Sequence, residues 1–234
     1  MSEFRILDGI APSRIFFWLF PMEDEVKLDE GVWNAWMTLV WGLFILFVYM
    51  GAQTLVVVLA AYLEVERTGD SNMMRQITLV AESGYYISLV ILLAGSVGLL
   101  SIAGCVISRR GLPLGEYLAL RNIGFKAWLF SMAAFLATWA GLGLAGKWLG
   151  ETGVNDFMVK TYQSAEPMWL LVLAVGICAP FFEEAFFRGF IFAGLVRSKI
   201  GVWGTIFGTS FVWALIHSQY EALDVGIVFV LGVL

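Results

Sequence analysis

"YYISLVILLAGSVGLLSIAGCVI", residues 85–107, decides the fold. It holds no charged residue and no proline, and it exceeds the ~20 apolar residues a helix needs to cross bilayer hydrocarbon. A backbone in lipid must satisfy its own N–H and C=O groups, so such a run reads as a transmembrane helix. Working outward, comparable runs lie at 33–63, 127–149 and 168–197, with a shorter one at 202–217. Trp33, Trp36 and Trp41 sit near one end of the first run and Tyr62 near the other, as an aromatic belt places them. The chain is 60% hydrophobic with a mean hydropathy of +0.83, against about 45–50% apolar for soluble domains. An all-α, polytopic transmembrane helix bundle is expected. It divides into an acidic, interfacial segment at 1–32, two first helices at 33–107, and a core at 110–234.

Between these runs the chain is polar. EVERTGDSNMMRQ, residues 64–76, reads as a loop, and amphipathic LPLGEYLALRNIGF, residues 112–125, as an interfacial helix. Residues 15–20, IFFWLF, are expected at the membrane surface; the N-terminus carries acids too early for a secretory leader. The last run, VGIVFVLGVL at 225–234, is too short to span, so the chain is expected to stop inside a helix and to continue in a longer protein.

Charge sets the orientation. Arg109, Arg110, Arg121 and Lys126 follow the second run, and Arg197 and Lys199 follow the fourth. The connection between the third and fourth carries Glu151, Asp156 and Glu166 against Lys160. The positive-inside rule puts the two basic connections and the N-terminus in the cytoplasm, in an integral protein of the cytoplasmic (inner) membrane. The net charge of −5 owes much to the acidic stretch 23–30. No basic stripe with interleaved aromatics marks a nucleic-acid partner. Cys105 and Cys178 both lie in apolar runs, where cysteine is usually a small packing group.

PFFEEAFFRGF, residues 180–190, places Glu183, Glu184 and Arg188 inside the fourth run, where each ionisable group costs a few kcal/mol. Glu184 and Arg188 are four apart and face each other on a helix, which by itself is a structural ion pair. Glu183 is turned about 100° away and needs a partner from another helix or from water. Phe181, Phe182, Phe186 and Phe187 read as packing or lipid-facing groups. The sole histidine, His217, lies about 17 residues beyond a turn centred near 199–200. In an antiparallel hairpin its depth partner falls near residue 182, each ~25 Å from the turn at 1.5 Å per residue. The histidine and the glutamates then share one layer, with Pro180 placed to kink the helix just before them. Taken alone, His217 is equally a packing histidine at a helix end. A carboxylate beside an imidazole can hold and deprotonate a water. Glu183, Glu184 and His217 can equally hold a divalent metal such as zinc, although the set is acid-heavy and Arg188 opposes a cation. The residues leave metal or no metal open.

EEAFFRG at 183–189 resembles the EExxxR motif of the CAAX-protease and bacteriocin-processing family of intramembrane endopeptidases. WALIH at 213–217 resembles its second motif, FxxxH, with Trp213 where phenylalanine is usual. The separation of the two motifs also fits, and the resemblance covers roughly 110–234. It implies a helix bundle with a site open to the cytoplasm and hydrolysis of a peptide bond in a peptide or lipidated protein near that face. It implies Glu183 as the base that activates water with His217, supported by Glu184 and Arg188. The family's third motif, a histidine followed one turn later by asparagine or aspartate, binds the oxyanion. With one histidine in the chain, that motif is expected beyond residue 234, and the 234-residue chain alone is expected to be inactive. The alternative is a catalytically inactive scaffold or immunity protein of the same fold. A transporter would need charges within the first three runs, which lack them centrally.

Overall fold

The computed structural model describes residues 32–120, 124–148, 156–218 and 222–233. Residues 1–31, with the acidic and interfacial stretches, and Arg121 and Glu151 lie outside the described residues. Among the described residues there is no strand. The order is α1 (Ala35–Thr68), α2 (Met73–Glu82), α3 (Gly84–Arg109), a single turn α4 (Leu114–Tyr117), α5 (Phe125–Trp148), α6 (Asp156–Gln163), a composite α7 (Met168–Leu195), α8 (Gly201–Leu215) and α9 (Ala222–Val233). Four of these, α1, α3, α5 and α7, are long and apolar enough to cross a membrane. The chain is an all-α polytopic bundle.

Helix ends follow local chemistry. Asn34 caps α1 by accepting from the Met37 amide at 2.9 Å. Gly69 ends it at φ 72°, the left-handed conformation that glycine adopts without a Cβ penalty. Asn72 then caps α2, accepting from the Arg75 amide at 3.1 Å. The polar stretch 64–76 is therefore not a loop: α1 runs on through Thr68, and a second helix begins at Met73. Glu64 holds that end together, paired with Arg67 at 2.7 Å and accepting from the Tyr86 hydroxyl. The interfacial helix expected at 112–125 shrinks to the one turn of α4. Ala119 leaves it at φ 53°, a backbone region that ends helices. A short helix not anticipated, α6, packs on the start of α3, where Gly84 meets the Thr161 carbonyl.

Helices α1 and α3 form the most extensive pair, and α7 lies across both. In lipid, helices associate by close packing more than by a hydrophobic drive, so small residues mark the crossings. A Cβ at Gly98 of α3 would strike Phe182, and one at Gly194 of α7 would strike the buried Thr38 of α1. Phe182, Phe186, Phe187 and Phe190 fill the centre with Ile45, Ile102 and Val106. Tyr49 of α1 stacks on Phe182 at 4.4 Å, and Tyr117 on Phe190 at 5.8 Å. Only Phe181 of the phenylalanines around the glutamates is exposed. Cys105 is buried, Cys178 is half-buried, and both are free thiols. Helix α8 packs on α9, and α5 packs on α9.

Close contact at Gly194 makes a contrast testable. Gly194→Ala should lose roughly 1–3 kcal/mol through overpacking against Thr38. Gly51→Ala, in α1 with nothing within 4 Å of the new Cβ, should be neutral or gain up to ~1 kcal/mol. Equilibrium unfolding in mixed detergent micelles measures both.

Candidate functional site

Helix α7 carries the acidic motif, and it is not uniform. Two of its turns, Ala174–Cys178 and Glu184–Ile191, are widened π turns with i→i+5 geometry. The first sits just ahead of Pro180. Proline has no N–H, and its ring presses on the carbonyl four residues back. The Ala179 amide instead donates to the Ala174 carbonyl, five residues back, and the chain stays helical through Pro180. π turns of this kind cluster at functional sites.

Within this helix the two glutamates diverge. Glu183 turns toward α8, where the Trp213 indole Nε1–H donates to its Oε2 at 2.9 Å. Glu184 turns toward a cavity of about 560 Å³ walled by Leu99 and Ile102 of α3, by Leu114 and Leu118, and by Phe181. Arg188 shares that wall, with Nη1 3.0 Å from Glu184 Oε1. This contact is an ion pair without hydrogen-bond alignment, and the Glu184 side chain is 60% exposed. The arginine has firmer partners elsewhere. Its Nη2 donates to the Gly232 carbonyl of α9 at 3.1 Å, and its guanidinium lies 4.9 Å over the Trp213 ring.

His217 falls two residues past the end of α8. Its fifteen residues rise ~22 Å, less than the ~30 Å of hydrocarbon, so this helix is too short to cross it. His217 and Glu183 act on each other electrostatically. Its Nδ1 lies 2.8 Å from the Trp213 carbonyl, and the two rings meet edge-on at 5.2 Å. A carbonyl only accepts, so Nδ1 carries a proton and Nε2 is the ring nitrogen left to face another group.

Three of the four residues singled out in the sequence, Glu183, Arg188 and His217, thus meet at Trp213, while Glu184 faces the cavity. Trp213 donates to Glu183, accepts from His217 and faces Arg188. Its signal was present as an indole in a position where the motif usually has phenylalanine, which has no N–H to offer. The sequence reading offered His217 as the partner of Glu183 and gave the Trp213 N–H no role.

A metal would need its donors to converge, and here they do not. Among the described residues no three His, Cys, Asp or Glu side chains form such a cluster. Glu184 faces the cavity while Glu183 and His217 face Trp213. As placed, the three do not fit a metal centre.

Residues 165–234 match the family described as type II CAAX prenyl endopeptidase Rce1-like. No curated protein and no solved structure matches the chain. The match spans both motifs, from α7 through α9, and ties this part of the molecule to a protease family. The four apolar helices make the chain an integral membrane protein, and its last third is similar to a protease family.

Trp213→Phe should keep the ring packing while leaving Glu183 half-buried without its donor. A loss of about 1–3 kcal/mol is expected, read by unfolding in detergent. An unchanged midpoint would show that water replaces the indole at no cost.

Proposed function

We propose that this chain forms the core of an intramembrane endopeptidase that hydrolyses a peptide bond close to the cytoplasmic membrane face. The observation that carries the reading is the shared anchorage of Glu183 and His217 on Trp213. One residue aims a carboxylate and an imidazole from two helices at the same depth. Glu183 takes the proton from a water, and that water attacks the scissile carbonyl carbon. The imidazole, held by its Nδ1–H, presents Nε2 to the same water or to the proton in flight. General-base assistance of this kind contributes about 10²–10⁴-fold.

Glu184 and Arg188 act as positioning groups. Arg188 fixes Trp213 from the ring face and ties α9 to the site, and the Trp213 indole then fixes Glu183. No step is routed through a metal. The cavity beside Glu184 opens among aliphatic side chains, which suits an apolar portion of a peptide or a lipidated protein lying along α7. The basic connections after α3 and α7 favour the cytoplasm for that end of the bundle and for the N-terminal end of α1.

The test is cleavage of a farnesylated CAAX peptide by the full-length protein in proteoliposomes. Glu183→Gln should lower turnover by at least ~10²-fold with the unfolding midpoint preserved. Glu184→Gln should cost less. Wild-type turnover in Glu183→Gln would sink the base assignment. No cleavage by the wild-type protein would favour an inactive scaffold.

A further inference from the structure

Tyr49 of α1 lies outside the family match and has no part in the proton transfers of Glu183 and His217. Its position along the helix is unusual. Tyrosines favour the two faces of a membrane, yet Tyr49 stands ~21 Å along α1 from Ala35 at 1.5 Å per residue. Three contacts fix its level. Thr38 lies against Gly194, Gly42 lies against Ile191, and the Tyr49 ring stacks on Phe182 at 4.4 Å with 17° between the planes. Helices α1 and α7 thus run antiparallel in one register. That register brings Tyr49 to the level of Glu183, the neighbour of Phe182.

The Glu183 carboxylate acts electrostatically on the Tyr49 hydroxyl, yet among the described residues that hydroxyl has no hydrogen-bond partner. A phenol buried in part, as this one is, ordinarily finds one. The other donors that act on Glu183 are already committed. The Trp213 N–H bonds Glu183 itself, the His217 Nδ1–H bonds the Trp213 carbonyl, and Arg188 holds Gly232 and Glu184. The Tyr49 O–H is the donor left over at this level. A phenol keeps its proton at neutral pH, so it donates without competing with Glu183 for the proton of water. A donor and a base that act on each other without a direct bond leave room between them for reacting atoms.

We propose that Tyr49 is a further catalytic residue, whose hydroxyl donates a hydrogen bond to the scissile carbonyl oxygen as that oxygen becomes negative. The inference rests on the peptidase reading given above. Glu183 takes one proton from water, and the water oxygen bonds to the carbonyl carbon. The C=O π pair moves onto the carbonyl oxygen, where the Tyr49 O–H meets it and keeps its own proton. When the pair returns, the C–N bond breaks, and the leaving nitrogen takes the proton held by Glu183. Donors placed where charge develops are commonly the largest single contribution to catalysis. A tyrosine hydroxyl serves in this way on other enzymes. Helix α1 thereby joins the site from outside the segment that carries the two motifs, and the stack on Phe182 sets where the hydroxyl reaches.

The same farnesylated CAAX peptide and full-length protein in proteoliposomes provide the test, with kcat and KM separated and unfolding midpoints measured alongside. Tyr49→Phe keeps the ring stack and removes only the hydroxyl. It should lower kcat about 10²-fold and leave KM and the unfolding midpoint near wild type. Tyr62→Phe, farther along the same helix, should cleave as wild type. Placing p-aminophenylalanine at position 49 returns a donor and should recover part of kcat. Placing p-methylphenylalanine there, of similar bulk but without a donor, should not, and this pair carries the test if Tyr49→Phe fails to fold. Wild-type kcat in Tyr49→Phe, beside a wild type that cleaves and a Glu183→Gln that does not, would overturn this proposal and leave the base assignment standing. A raised KM with kcat unchanged would do the same, since the hydroxyl would then only bind substrate. No cleavage by the wild type, or full cleavage by Glu183→Gln, would overturn the peptidase reading and this inference with it.

Discussion

A carboxylate in the middle of a membrane span has to be met from outside its own helix. Within α7 the residue after Glu183 is another acid, and the arginine one turn on lies against that second acid. The demand therefore falls on α8, and the Trp213 indole answers it at 2.9 Å. Much of the C-terminal architecture follows. Helix α8 has to start at the basic face, reach the depth of Glu183 and present an indole there. It stops one turn later, which leaves His217 folded back onto the Trp213 carbonyl. Arg188 then has an aromatic face to lie on, and α9 comes close enough for the Gly232 carbonyl to accept from it. Close approach of α9 needs glycine at 232, where a Cβ would come within 3.0 Å of Ser210 and of the Trp213 ring.

The two glutamates are adjacent in sequence and serve different neighbourhoods. The widened turns of α7 are what keep that possible in one continuous helix. The first absorbs Pro180 without breaking the rod, so the helix enters the motif still in register with α3. The second begins at Glu184 and keeps Phe186, Phe187 and Phe190 directed into the core while Arg188 stays half-exposed. Four aromatic rings anchored between α1 and α3 thus hold the strip of helix that carries the charge. The rigidity of that strip comes from dispersion and close packing, which do not weaken in lipid as the hydrophobic effect does.

Much of this was legible before any coordinates. Hydropathy over residues 85–107 and its counterparts is enough for the bundle, because lipid leaves the backbone no alternative. The depth argument for His217 rests on two helices that leave one turn rising at the same rate. What escaped was what sequence periodicity does not encode. Helix α2 hides in a polar stretch because Gly69, which ends α1, and Asn72, its own N-cap, look like loop residues until they are seen in sequence as a stop and a start. The stretch after Pro113 looked helical by amphipathicity, yet the backbone turns left-handed at Ala119. The divergence of Glu183 from Glu184 was read correctly as an angle. The Trp213 donor was not foreseen, since a tryptophan in an apolar run is ordinarily packing and only its N–H distinguishes it here.

That one residue serves three polar groups has a consequence for how the site holds together. Glu183, His217 and Arg188 meet through different parts of Trp213: the indole N–H, the backbone carbonyl and the ring face. Side chains linked in this way polarise one another, and their contributions do not add. Removing the indole would disturb Glu183 directly but leave the carbonyl that orients His217, since the backbone survives any substitution. Removing Arg188 would leave both hydrogen bonds and loosen the ring that supports one of them. The carboxylate is therefore the member whose placement depends on the others, and the imidazole the member held by the helix itself. A site built this way tolerates changes in the arginine or the ring gradually. It tolerates none in the fold of α8, on which the orientation of His217 and the reach of the indole both rest.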